Sequence, residues 1–348
     1  MTAGVRRSGL VGITLLVVIL ALLGWQWVSS APDGNRTIRL TIPGKTGSYQ
    51  IGQLLERSGA IRSAWAWQAY VFVRGWRADL KAGTYRFVPE RSLGEVAAQI
   101  YRGDVLKVRY TIPEGWDLTQ MARYFEQQGH FEAKTFLTLT RGSAMLRPDW
   151  LPPATDRLEG FLFPDTYELS FDRFNARAVV NQMLGGFAAQ ALPLYQSAPA
   201  PRPALLEWVT LASLVEKEAA VPLERPTIAG VFQARLLRKM SLASDPTVEY
   251  ALGIRQSADV PLNLAQVRTP SPYNTYLNVG LPPTPIASPG LASLRASLKP
   301  VASEYLFFVA RYDGTHVFSR TASEHEQAKM EIRARRKMQA RQLIDSKQ

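Results

Sequence analysis

Residues 39–61, RLTIPGKTGSYQIGQLLERSGAI, return as residues 109–131, RYTIPEGWDLTQMARYFEQQGHF, without a gap. Arg39, Thr41, Ile42, Pro43, Gln50, Glu56 and Gly59 match Arg109, Thr111, Ile112, Pro113, Gln120, Glu126 and Gly129. The alternation over 37–42 predicts a strand that Pro43 ends, because proline has no backbone donor for a sheet ladder. Residues 49–57 then predict a helix closed by Gly59, the residue best suited to a left-handed cap. One strand, turn and helix module is therefore used twice. Between the copies, residues 61–73 predict a second helix and 83–88 another strand. Ser92 can cap a helix running to Tyr101, which Gly103 ends.

The chain's 348 residues suffice for two domains behind a targeting segment. An apolar content of 46% with 20% charged residues marks a folded chain, not a disordered one. The absence of cysteine excludes disulfides, thiolate nucleophiles and thiolate metal sites. His130, His316 and His325 lie far apart without ligand spacing, so no metal site and no cofactor are expected. The net charge of +12 favours an acidic partner, with Lys329, Arg333, Arg335, Arg336, Lys337 and Arg341 clustered near the end. Nucleic acid, anionic lipid and a carboxylate-bearing polymer all fit that charge, and so does a basic helix that is merely solvated.

Residues 10–28, LVGITLLVVILALLGWQWV, are uncharged and about as long as the roughly 20 residues that span a bilayer core. Arg6 and Arg7 precede them, so the positive-inside rule keeps residues 1–9 in the cytoplasm and sends everything after 28 outward. Ser29 and Ala31 would also suit signal-peptide cleavage, but the length favours an uncleaved anchor. Either way the body of the protein is exported, which argues against a nucleic-acid partner. Residues 29–36 read as a linker.

Further along, 131–151 read as helical and then irregular, up to Pro152 and Pro153. In LEGFLFPDTYELS, 158–170, the acids Glu159, Asp165 and Glu168 alternate with aromatic rings. Sugar-binding grooves use this mixture, the rings stacking on pyranose faces while carboxylates accept hydroxyl hydrogen bonds. A loop packed by its own aromatics would read the same. Helices are expected over 176–192, 205–221 and 226–239, with a Pro/Ala-rich connection over 193–203. Asp245, at a cap followed by Pro246, starts another helix through Leu252. Residues 269–290, TPSPYNTYLNVGLPPTPIASPG, form a long stiff loop, a kind of segment that is usually functional. Ser288 and Pro289 are expected to cap a helix to Leu298. A hairpin about Asp313 and Gly314 joins 304–310 to 315–320, and Ser323 with Glu326 makes a capping box for the last helix.

The least comfortable residues stand in LASLVEKEAAV, 211–221, where Glu216 and Glu218 interrupt a small and apolar run. On a helical wheel Glu216 falls inside the apolar arc and Glu218 at its edge beside Leu211. Burial disfavours the charged carboxylate and raises its pKa, and a proton held near neutral pH is what a general acid needs. Pairing of both acids with arginines such as Arg225 or Arg235 is the structural alternative.

Small strand, helix, helix, strand modules such as the one over 37–108 resemble LysM domains, which grip cell-wall glycan. More specifically, KAGTYRF at 81–87, LEGFLFPDTY at 158–167, ASLVEKEAA at 212–220, SDPTVEYALG at 244–253 and the 269–290 loop together resemble the YceG-like (MltG) family of endolytic murein transglycosylases. The resemblance implies an α+β protein: a transmembrane helix, a LysM-like βααβ module over 37–108, and a mixed α/β catalytic domain over 109–348. It also implies a bacterial inner-membrane, single-pass enzyme whose periplasmic part cleaves nascent peptidoglycan strands, with peptidoglycan synthases as possible partners. The family's essential acid, the second glutamate of E-K-E, corresponds to Glu218. Glu159 and Asp165 are then expected to hold the sugar or orient the loop, and Asp245, Tyr273 and Asn274 to line the same wall. Family members commonly read F-x-N-R-L where this chain has FQARL at 232–236, so Ala234 replaces an asparagine. A membrane-anchored glycan binder without turnover and a hydrolase using paired acids are the competing functions.

Overall fold

The computed structural model describes residues 3–33, 36–257 and 260–345, and the chain divides into two compact units. The first comprises residues 1–109 and 168–174, the second residues 110–167 and 175–348.

In the first unit, α1 (Ala3–Ser29) precedes β1 (Ile38–Ile42), α2 (Ser48–Ser58), α3 (Ala64–Val73), β2 (Gly83–Phe87) and α4 (Leu93–Arg102). The strands pair antiparallel, Ile38 opposite Phe87 and Ile42 opposite Gly83. Their inward residues meet the apolar faces of α2, α3 and α4 around Ile42, Leu55, Trp67, Tyr85 and Ile100. Trp67 is wholly buried and its indole N–H donates to Ser48 O at 2.9 Å, so its one polar atom is satisfied. Gly59 takes the left-handed conformation at φ 76° that a helix stop requires. The second helix begins at Ala64, three residues later than hydropathy suggests. Ser63 caps it, and Ile61 is buried in the preceding turn.

The repeat extends beyond the matching residues. β3 (Lys107–Thr111), α5 (Leu118–Gln127), α6 (Ala133–Thr140) and β4 (Thr166–Ser170) reproduce strand, helix, helix, strand, and β3 pairs with β4. Asp117 caps α5 by accepting from Gln120 N at 2.7 Å.

The second unit continues with α7 (Ala176–Gln196), α8 (Leu205–Glu218), α9 (Arg225–Leu237), α10 (Asp245–Leu252), α11 (Leu264–Val267) and α12 (Leu291–Leu298). β5 (Phe307–Ala310), β6 (His316–Ser319) and α13 (Ala322–Asp345) complete it. α8 is the spine, with Leu214 and Val215 buried against Ile228 and Phe232 of α9 and Ala296 of α12. β5 and β6 form the antiparallel hairpin read from Asp313 and Gly314.

Four local expectations change. α8 stops at Glu218, whereas the sequence pattern carries it to 221, because Ala219 turns extended at ψ 104°. The N-cap position of α10 is Ser244, not Asp245. Gly290 rather than Ser288 takes the N-cap of α12, at a position where a Cβ would overlap the Glu114 carboxyl. The last helix is capped by Thr321, whose hydroxyl accepts from Glu324 N at 3.2 Å while Glu324 accepts from Arg320 N at 2.8 Å. The reciprocal logic is that of the expected box, shifted by two residues.

Among the described residues no helix is long and apolar enough to cross a membrane. α1 covers the apolar stretch 10–28, and its side chains from Leu15 to Leu23 are exposed. The side chains of residues 1–13, including the start of that stretch, lie outside the described residues.

Candidate active site

The two acids of α8 have different fates, since residues two apart on a helix face nearly opposite sides. Glu216 is ion-paired: its Oε1 lies 3.3 Å from Arg225 Nη2, and its Oε2 accepts from Gly290 N at 3.0 Å. The side chain is only 7% exposed, which leaves it no room for a substrate. Arg225 Nε in turn donates to Ser293 Oγ at 2.9 Å, and Ser213 Oγ of α8 accepts from Ile286 N at 3.1 Å. Glu216 thus pins the end of the proline-rich loop, and the start of α12, to the central helix. The pairing with an arginine foreseen as a structural alternative is the role of this acid.

Glu218 makes no such pair among the described residues. It is the last residue of α8, at the end where unpaired helix carbonyls disfavour a negative charge. Ser244 Oγ donates to its Oε1 at 2.6 Å. Burial pushes its pKa up to about 7, and the nearby Asp245 and Glu249 carboxylates add to that rise. The Ser244 hydroxyl and the more distant Arg235 guanidinium oppose it without prevailing. The residue keeps partial solvent access, so a heavily desolvated carboxyl remains reachable. A carboxyl in such a state can hold a proton at neutral pH, give it up, and take it back.

The elements around Glu218 are locked by polar contacts. Arg235 donates from Nη1 to Leu242 O and from Nε to Leu306 O, both at 2.6 Å, which fixes the turn delivering Ser244. Ala234, where the family resemblance leads one to expect asparagine, lies beside it on α9, partly buried. Thr275 Oγ1 accepts from Ser244 N at 3.0 Å and bonds Thr247 Oγ1 at 2.9 Å. Tyr276 OH donates to Asp245 Oδ1 at 2.6 Å, and Gln256 Nε2 donates to Oδ2 at 3.1 Å. Burial and the Asp245 and Glu218 charges push the Tyr276 phenol far up, so it stays a donor.

Beside this acid opens a cavity of about 600 Å³. Asp117, Arg123, Arg157, Lys217, Glu249, Tyr250, Arg255 and Tyr273 belong to its lining. Glu218 itself does not line it. Its chain neighbour Lys217 does, as do Glu249, whose charge acts on Glu218, and Pro246, next to Asp245.

The other residues proposed from sequence fall in distinct places. Tyr273 stands in the cavity wall, its ring 4.9 Å from that of Tyr250 and its hydroxyl 2.8 Å from Thr284 Oγ1. Asp245 abuts the acid but spends both oxygens on Tyr276 and Gln256. Glu159 is 2% exposed and accepts from Leu118 N at 3.0 Å and from Tyr250 OH at 2.9 Å. Burial and the Asp117 charge raise its pKa to about 8. Sealed in this way it cannot touch a sugar directly, and its contact with the cavity wall is the bond to Tyr250. Asn274 is 1% exposed, with Nδ2 donating to Val267 O and Thr269 O and Oδ1 accepting from Tyr276 N, so it staples the loop from within. Asp165 is exposed at the start of β4 and is not part of the cavity wall. Sequence reasoning missed Ser244, Glu249, Tyr250 and Tyr276. All but Tyr276 stand in the SDPTVEYALG motif, whose hydroxyl next to the helix-starting Asp-Pro was the available signal.

Comparison with known proteins identifies relatives of the whole chain. The model of the YceG-like family matches residues 40–331. A Bacillus subtilis protein named endolytic murein transglycosylase is 30% identical over 310 residues, covering 85% of both chains. A Streptococcus pneumoniae protein of the same name is 30% identical across 89% of this chain, which spans 63% of its length. The crystal structure of a yceG-like protein from Listeria monocytogenes superposes with a TM-score of 0.58 at 30% identity, covering 84% of this chain and 99% of that one. By the extent of the family match and of these relatives, the chain belongs to the YceG-like family.

Proposed function

We propose that this protein is an endolytic lytic transglycosylase of peptidoglycan, with Glu218 as its catalytic acid and base. The observation that carries the reading is a reachable carboxyl with its pKa near 7 at the end of α8, held by Ser244. The name shared by the Bacillus and Streptococcus relatives supports the same chemistry.

An ordinary glycosidase needs two free carboxylates and ends with water. Here Asp245, the acid next in chain to Ser244, is engaged by Tyr276 and Gln256, which favours a route that uses one. Protonated Glu218 gives its proton to the glycosidic oxygen linking N-acetylmuramic acid to N-acetylglucosamine. The bond breaks with oxocarbenium character at the muramyl anomeric carbon. Glu218, now a carboxylate, takes the proton of the muramyl 6-hydroxyl, whose oxygen attacks that carbon. The intramolecular nucleophile carries a high effective concentration, and no water is consumed. Tyr250 and Tyr273 offer ring faces for a sugar.

In this reading α1 is a single-pass anchor in a bacterial inner membrane, the rest of the chain is periplasmic, and the βααβ module over 37–108 acts as a LysM-like glycan grip. The exposed apolar side chains of α1 and the two arginines that precede its apolar stretch support the anchor. Such placement would limit the length of strands leaving a peptidoglycan synthase.

Incubating the full chain in detergent with uncrosslinked glycan, then weighing the chain ends by mass spectrometry, tests the proposal. Anhydromuramyl ends are expected. Reducing ends would establish hydrolysis, and intact strands a binding protein.

A further inference from the structure

The cavity beside Glu218 carries more positive charge than a neutral sugar needs. Lys217 is half-buried, and among the described residues its ammonium makes one hydrogen bond, to Gly115 O at 3.4 Å. Burial holds its pKa below the ordinary lysine value, and the Arg255 guanidinium nearby pushes the same way. Among the described residues neither Lys217, Arg123 nor Arg255 has a carboxylate within ion-pair distance, although all three line the cavity. Two acids stand in the wall, Asp117, which caps α5, and Glu249, whose Oε1 accepts from Gln256 N at 3.1 Å, and their charges and that of Glu216 partly offset the effect of burial on Lys217 without pairing with it. A half-buried cation beside a like charge, with carboxylates near but none paired to it, is costly, and a bound anion would complete it. The same lining holds the pair of tyrosine rings, with the Arg157 guanidinium 5.9 Å from the Tyr273 ring centroid. Such a wall suits a sugar that carries a carboxylate on one arm.

We propose that this cavity is a subsite for the acidic arm at O3 of the muramyl sugar, with Lys217 and Arg255 receiving its carboxylate while Tyr250 and Tyr273 carry the ring. The inference rests on peptidoglycan being the substrate. The carboxylate belongs either to the lactyl group itself or to the peptide attached to it, and the chemistry at Lys217 is the same for both. Because Lys217 precedes Glu218 in the chain, an occupied cation pair would set the muramyl residue in register with the acid. Muramyl and glucosamine units would then be told apart by charge.

Three glycans of equal length separate the possibilities: one with intact peptide stems, one stripped by amidase so that each lactyl carboxylate is free, and one stripped and then converted to the neutral lactyl amide. Binding is measured to the full-length Glu218→Gln chain, and cleavage to the wild type. At least one charged glycan should bind about tenfold more tightly than the neutral one, and which of them does so identifies the source of the carboxylate. Lys217→Gln and Arg255→Gln, each combined with Glu218→Gln, should lower that affinity to the level of the neutral glycan. Equal binding of all three glycans would overturn the inference, and so would a charge preference that survives both substitutions. Loss of cleavage on every glycan, with the charge-dependent binding intact, would sink the transglycosylase reading and leave the subsite standing.

Discussion

At the residue scale, two glutamates two positions apart do unlike work because residues i and i+2 of one helix point about 200° apart and so meet different neighbours. Glu216 is closed in by Arg225 and Gly290 N, whereas Glu218 meets a serine hydroxyl and two carboxylate fields. Glu218→Gln is therefore expected to lower turnover by roughly 10²–10⁴-fold, the usual worth of a general acid. Glu216→Gln should instead lower the melting temperature, by leaving Arg225 short of a partner, while residual turnover persists. Anhydro-end counting and thermal melts on both variants check this, and an inactive but fully stable Glu216→Gln protein would contradict it. The raised pKa also has a signed consequence. Glu218 rises from its ordinary 4.5 to about 7, so between these values the folded chain binds more protons than the unfolded one. Its stabilising contribution is full below about pH 4.5 and is lost as pH rises through 7, an effect of at most roughly 3 kcal/mol. Glu159, raised to about 8, acts in the same direction over a slightly wider window. Melts of wild type and Glu218→Gln from pH 5 to 8 should converge at the acid end and diverge in favour of the variant at the alkaline end. Turnover that depends on protonated Glu218 should decline over the same alkaline limb.

At the scale of elements, α8 organises the site by what it grips as well as by what it carries. Ser213, Glu216 and the Trp208 indole, which donates to Leu294 O at 2.9 Å, hold the 284–294 segment along its length. The LEGFLFPDTY segment packs against the same helix at Gly160. With φ 84°, a Cβ there would lie 2.5 Å from Pro285 and 2.8 Å from Val209. Gly160→Ala combines a left-handed backbone with a collision against rigid neighbours, so we expect a loss of about 2–4 kcal/mol. Chemical denaturation measures it, and a change below about 0.5 kcal/mol would show that the segment can yield. The aromatic residues of this motif, read from sequence as a sugar groove, are largely core: Phe161 is fully buried, Phe163 is 7% exposed and Tyr167 8%. The rings that line the cavity come instead from Tyr250 and Tyr273.

At the scale of the whole molecule, the candidate site lies entirely in the second unit, and the first adds α1 and a βααβ module. If α1 anchors the chain, the full-length protein should remain with membranes after alkaline carbonate washing, and a chain starting at Ala31 should wash off. Release of both would refute the anchor. The sequence by itself determined the doubled module, because period-two and helical patterns, prolines at strand ends and glycines at helix ends are local signals that need no partner. It also marked 211–221 as the place where acids sit against the pattern, and the family resemblance selected Glu218. Only the tertiary structure decided where α8 ends, that Glu216 is taken by Arg225, that Glu159 and Asn274 are sealed inside, and that Ser244 and a cation-rich cavity flank the acid. Those outcomes depend on which distant segments arrive beside a side chain: Ser244 lies 26 residues from Glu218, and Gly290 lies 74 from Glu216. No wheel or periodicity contains that information, since burial and pairing across such separations exist only once the chain has folded.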